Sequence, residues 1–182
     1  QGVNAKFARV SSDSRAVEPG SLFVALTGDR FDGHDFVADA AARGAAGAIV
    51  SRPVDSALPQ VVVADTLAAL ATFANAWRRS FAGAVVGITG SNGKTTVKEM
   101  TGAILAELGP CLVTQGNLNN HIGVPLTLCR LEATHRCAVI EMGANHLGEI
   151  AHLASIARPQ VGLVINAGPA QAVLLAIASA SV

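Results

Sequence analysis

Residues 90–96, reading Gly90, Ser91, Asn92, Gly93, Lys94, Thr95 and Thr96, bring together the residue types that grip a phosphate. The two glycines let the backbone turn so that successive N–H groups converge on one concave spot. The spacing predicts a short buried strand over residues 84–89 and a helix over residues 95–108. That helix would aim about half a positive charge at the same spot. Strand, glycine-rich turn, Lys-Thr and helix make a phosphate-binding loop for a nucleotide, with Lys94 reaching its terminal phosphates and Thr95 offering its hydroxyl to Mg²⁺. A strict loop of this kind has a glycine where Ile88 stands. The alternative is a strand-to-helix turn that carries Lys94 and Thr95 by accident, and the flanking elements argue against it.

Other stretches could also carry chemistry. Glu141 closes an apolar run at residues 137–141, and a carboxylate there would stand beside the phosphate loop as a Mg²⁺ ligand. Asp is the commoner residue at such a place, and the alternative is a strand-end Glu capping the next helix. Asn117, Asn119 and Asn120 offer donors and acceptors suited to sugar or phosphate, or an Asn-stabilised turn, and the residues leave both open. Residues 12–15 read equally as an ordinary turn with an internal ion pair, and residues 32–34 as a loop leading into a helix. His146 is read as a polar loop residue rather than a ligand.

Positioning these groups requires alternating strands and helices. Strands are expected at residues 22–26, 48–50, 60–64, 84–89, 111–114, 137–141 and 161–165. Helices are expected at residues 34–43, capped by Gly44, at 66–80, capped by Asp65, then at 95–108 and 147–157. Repeated strand-helix units mean parallel sheets with helices on their faces, and ligands at the carboxyl ends of the strands. The fold class is therefore α/β: a small amino-terminal domain, residues 1–82, and a parallel-sheet domain with the phosphate loop, residues 83–182.

With 13 basic and 13 acidic residues among 182 and no basic block, nucleic acid is not an expected partner. No apolar stretch reaches the ~20 residues of a membrane span, and no export signal is recognised. Cys111, Cys129 and Cys137 lack metal-ligand spacing and read as reduced, cytoplasmic thiols.

The segments SSDSRAVEPGSLFVALTGDRFDGHDF, GITGSNGKTTVKEM, GNLNNHIGVPLTL, EMGANHLGEI and VINAGPA, in that order, resemble the Mur ligase family, ATP-dependent enzymes that build the peptidoglycan stem peptide. The family's loop has the same glycine spacing, which removes the difficulty at Ile88. The resemblance implies an amino-terminal domain that holds the UDP end of the precursor through Ser14, Arg15, Asp29, Arg30 and Phe31. It implies an ATPase domain in which residues 90–96 bind ATP, Thr95 and Glu141 hold Mg²⁺, and Asn119 and Asn120 lie along the muramyl substrate. The segment GNLNNHIGVPLTL points to the member that joins D-Ala-D-Ala to UDP-N-acetylmuramoyl-tripeptide through an acyl phosphate. A non-catalytic UDP-muramyl-peptide or ATP-binding module, and another member of the wider ligase group, are the competing readings.

The departures from the family pattern lie at the ends. Gln171 stands where the family has a metal-binding His, and residues 171–182 lack family character. The family's downstream lysine and carboxy-terminal domain are not found. The expectation is a fragment cut at both ends, inactive alone, with an open sheet edge that promotes self-association or is covered by residues 173–177.

Overall fold

The computed structural model describes residues 7–166. Each of its two sheets has four strands, all parallel. The first has the order β1 (Val10–Ser11), β2 (Leu22–Val24), β3 (Gly47–Val50) and β4 (Gln60–Val62). Its core gathers Phe23, Ala25, Val37, Ala40, Ala48 and Val50, the small and β-branched residues of the central strands against helix α1 (Val37–Ala42).

The expected helix at residues 34–43 is shorter than its periodicity indicates. Residues Gly33–Phe36 form a 3₁₀ turn capped by Asp32, and α1 begins only at Val37. Asp32 takes the amide of His34 with its side chain, which tightens this first turn. Gly44 ends α1 in the left-handed region, at φ 87°, as expected.

Helix α2 (Thr66–Ser80) starts at Asp65, whose Oδ1 accepts from the amides of Leu67 and Ala68. The chain divides into two compact units between Leu70 and Ala71, inside this helix, whereas the sequence places the joint at residues 81–83. Within the first unit, Thr66 donates to the Ala25 carbonyl. Within the second, Arg78 donates to the carbonyls of Phe81, Ala157 and Arg158 and to Gln160. The last turns of a single helix thus belong to the second core.

The second sheet has the order β6 (Cys111–Val113), β7 (Cys137–Glu141), β5 (Ala84–Thr89) and β8 (Val161–Val164). Helix α3 (Lys94–Ala106) follows β5, α4 (Gly123–Leu128) precedes β7, and α5 (Glu149–Ala157) leads into β8. α3 starts one residue before its expected position, and α5 starts at Glu149 rather than residue 147. Pro125 sits in the first turn of α4, where its missing N–H costs nothing. One face of the sheet carries the main core, with Val85, Leu112, Ala138, Ile140 and Met142 against Ala74, Val124, Leu128, Leu153 and Ile156. Strand alternation sends Val139 and Glu141 to the opposite face, toward α3.

Among the described strands, β8 is paired on one side only, and Val161, Leu163 and Val164 are exposed. The expected contact of residues 173–177, and the departure at Gln171, lie outside the described residues. No helix among the described residues is long and apolar enough to cross a membrane. Burial pushes the Cys111 thiol, aided by neighbouring Cys137, and the Cys129 thiol up to about 12. Neither is an activated nucleophile.

Candidate active site

The loop at residues 90–93 leaves the carboxyl end of β5, between β7 and β8. The connection out of β5 runs to β6 on one side, whereas the connection out of β7 crosses β5 to reach β8 on the other, so the direction reverses here and a crevice opens at the strand ends. Gly90 (φ 147°) and Gly93 (φ 80°) take backbone conformations that side chains disfavour, and Gly93 is the N-cap of α3. A Cβ on Gly90 would also lie 3.2 Å from the Ile165 side chain and the Asn166 amide nitrogen.

The loop's polar groups are held by its surroundings. The Asn166 side-chain oxygen accepts from the amides of Ser91 (2.8 Å) and Asn92 (3.1 Å), the way an anion's oxygen would. Lys94 Nζ donates back to the carbonyl of Gly90 at 2.7 Å. A lysine parked on its own loop has only to swing outward to meet a phosphate.

Glu141 is opposite Ile88 in the register of β7 and β5, which sets it beside the loop. It is 2 % exposed. Its Oε2 accepts from Thr95 Oγ1 at 3.2 Å, its Oε1 from Asn119 Nδ2 at 2.8 Å, and its amide donates to Thr114 Oγ1 at 3.0 Å. Its carboxylate is therefore not a cap for the following helix; Glu149 takes the amides of Asn145 and His146 instead. Those two bonds, first from Asn145 and then from His146, hold the Glu149 carboxyl below its usual range.

A divalent ion would find suitable donors here. Two neighbouring oxygens on an octahedral Mg²⁺ at about 2.1 Å lie about 3 Å apart, close to the 3.2 Å between Thr95 Oγ1 and Glu141 Oε2. Among the described residues no group of three or more His, Cys, Asp or Glu is arranged to hold a metal. An ion at this pair would complete its shell with water and phosphate oxygens, as Mg²⁺ prefers.

The two asparagines part company. Asn119 reaches Glu141, whereas Asn120 Oδ1 accepts from the amides of Ile122 and Gly123 and so caps α4. The turn reading holds for Asn120 alone. In the first unit, Asp13 caps a 3₁₀ turn (Ser14–Ala16) and pairs with Arg15 at 2.8 Å. That bond to Arg15 holds the Asp13 carboxyl below its ordinary range. Ser14 is buried, and Asp29, Arg30 and Phe31 form an exposed turn closed by the Gly28 amide on the Phe31 carbonyl.

Four groups were not singled out as site residues in the sequence. Thr114, Lys98 and Asn166 all touch Glu141 or the loop. Lys98 stands four residues after Lys94 and three after Thr95, a spacing that puts all three on one helix face. In the first unit His34, with a fully buried side chain, bridges Asp32 (2.5 Å) and the Ser51 amide (2.8 Å). Its Nε2 accepts from that amide, so Nδ1 carries the hydrogen and donates to Asp32.

Comparison with known proteins finds relatives along most of the chain. The family described as Mur ligase family, catalytic domain, matches residues 6–78, and the Mur ligase middle domain matches residues 88–171. UDP-N-acetylmuramoyl-tripeptide--D-alanyl-D-alanine ligase of Escherichia coli K12 is 52% identical over 91% of this chain and 37% of its own length. The ligase of the same name from Bacillus subtilis is 41% identical over 87% of this chain and 35% of its own. The crystal structure of MurF from Acinetobacter baumannii superposes with a TM-score of 0.86 at 47% identity, covering 93% of this chain and 38% of that one. MurF ligase from Thermotoga maritima, solved in complex with ADP, gives 0.78 at 39% identity over 88% of this chain and 38% of that one. The chain thus spans little more than a third of the length of these relatives.

Proposed function

The chain belongs to the Mur ligase family, and we propose that it forms the precursor-binding and nucleotide-binding parts of a ligase that joins D-Ala-D-Ala to UDP-N-acetylmuramoyl-tripeptide. The energy source is ATP, and the product extends the peptidoglycan stem peptide. The observation that carries the reading is the 3.2 Å approach of Thr95 and Glu141 beside the phosphate loop. The relatives named for this reaction, and the one solved with ADP, support it.

In the proposed reaction the terminal carboxylate of the tripeptide attacks the γ-phosphorus of ATP, and ADP leaves. The resulting acyl phosphate is then attacked by the amine of D-Ala-D-Ala, and phosphate departs. Two anions must meet in the first step, so the site must supply positive charge. The amides of residues 91–95 and the amino end of α3 bind the phosphates. Lys94 leaves the Gly90 carbonyl and places its ammonium on the terminal phosphate. Mg²⁺, held by Thr95 and Glu141, would supply further charge to the transferring group. Asn119 orients Glu141 through its 2.8 Å hydrogen bond, and Asn120 shapes the loop beside it by capping α4. Ser14, Arg15, Asp29, Arg30 and Phe31 receive the UDP end of the precursor within the first unit. The work is placed in the cytoplasm, where ATP and UDP-linked precursors are found. Self-association at the one-sided β8 edge belongs to the same proposal, and light scattering checks it.

Titration calorimetry tests the reading. The chain should bind ATP with Mg²⁺ saturably, and Lys94→Ala should weaken that binding by about a hundred-fold without changing the circular dichroism spectrum. Equal affinity in the variant would overturn the loop assignment.

A further inference from the structure

Lys98 is the most deeply buried charged side chain among the described residues, with no exposed surface, and its Nζ has no hydrogen-bond partner there. A buried ammonium without aligned acceptors is costly, and chains retain one where it has work to do. Its ion-pair partners are Glu99, at 2.9 Å but without hydrogen-bond alignment, and Glu141 Oε2 at 3.8 Å. Glu99 is 65% exposed, so water screens it, whereas Glu141 is as enclosed as the lysine. The same Oε2 accepts from Thr95. One carboxylate oxygen therefore faces both a permanent neighbouring cation and the place proposed for the metal.

We propose that Lys98 is a positioning residue that makes metal binding depend on nucleotide. Resting on the metal-site reading above, this assigns the lysine a role as resident counter-charge to Glu141. With Lys98 in place the pair carries no net charge, and a lone divalent cation gains little by entering. Phosphate oxygens bring the negative charge that admits it. The order has a chemical use: metal arrives with the triphosphate it serves, and Glu141 stays fixed toward Thr95 in the meantime.

The sign of the effect separates this role from a merely structural one, because a loosened site loses metal affinity whereas removal of a counter-charge gains it. Mn²⁺ serves as the probe, with free ion counted by electron paramagnetic resonance, alone and with ADP. The unsubstituted chain should take up Mn²⁺ only with ADP. Lys98→Met should bind Mn²⁺ alone at least about ten-fold more tightly, and adding Glu141→Gln should remove that gain. Tight uptake of Mn²⁺ alone by the unsubstituted chain, or no gain in a folded Lys98→Met, would overturn the proposal. If Lys98→Met does not fold, Glu99→Gln leaves the lysine to Glu141 alone and should weaken Mn²⁺ uptake with ADP about two-fold; an unchanged value would overturn it. Glu141→Gln alone tells the two readings apart. If it leaves Mn²⁺ uptake with ADP intact, the metal site itself is wrong; if it abolishes uptake while Lys98→Met shows no gain, only the role of Lys98 falls.

Discussion

Each unit contains a carboxylate near the end of its parallel sheet's strands, and the two are treated in opposite ways. Asp32 in the first unit has a partner on each carboxylate oxygen. Its Oδ1 takes the amide and ring of His34, and its Oδ2 pairs with Arg52 at 2.8 Å. His34 passes the connection to the Ser51 amide, so every strong group in the knot has a partner. Glu141 in the second unit is held on three sides, by Thr95, Asn119 and Thr114, yet the ammonium beside it is unaligned. A fully satisfied cluster fixes a fold; one that keeps a buried charge unaligned is prepared for something to enter. The Asp32 side chain is also the more open of the two, 26% exposed against 2% for Glu141.

Substitution can break this contrast. The largest expected effect is on binding: Glu141→Gln should lower Mg²⁺-dependent ATP affinity by about a hundred-fold, while His34→Ala should leave it unchanged. Calorimetry on both variants checks this, and a loss in His34→Ala would mean that the first cluster is no mere brace. The next effect is on stability. His34→Ala strands the Ser51 amide and part of Asp32 and opens a cavity, at a cost of about 3 kcal/mol read by urea unfolding.

Glu141→Gln should also cost about 2 kcal/mol, because Lys98 loses its buried anion but keeps Glu99. Lys98→Met in the same chain should return most of it. Failure of that rescue would show that the pair is not coupled.

The smallest effect is on pH dependence. The amide of His34, then its ring, then Arg52 hold the Asp32 carboxyl far below the usual carboxylate range. A carboxylate lowered in the folded state contributes stability that is fully present above its unfolded value, near pH 4. That contribution is lost as pH falls toward the folded-state value. The stability gap between the unsubstituted chain and Asp32→Asn should therefore be constant above about pH 5 and shrink in acid. A gap that widens on acidification would reverse the assignment.

Much of this was legible in residue order. Local rules sufficed for the strand, glycine turn and helix around residues 90–96, because the glycines, Lys94 and Thr95 are close in sequence and the flanking elements follow from periodicity. They sufficed also for Asp65 as a cap, Gly44 as a helix end and the parallel α/β class, each a matter of neighbours within a few residues. The split roles of Asn119 and Asn120 were not legible, since adjacent identical residues look alike until one faces Glu141 and the other an amide of α4. The start of α1 was missed for a related reason: Asp32 tightens the first turn through a side-chain bond that apolar spacing does not register.

What only the tertiary structure decided is who surrounds Glu141. Thr95, Lys98, Thr114 and Asn119 come from a helix, a strand end and a loop, and the parallel register of β5, β6 and β7 brings them together. Sequence order fixes contacts that span a turn. The charge balance of a buried site depends on strand alternation and crossover direction, which place distant residues on one face.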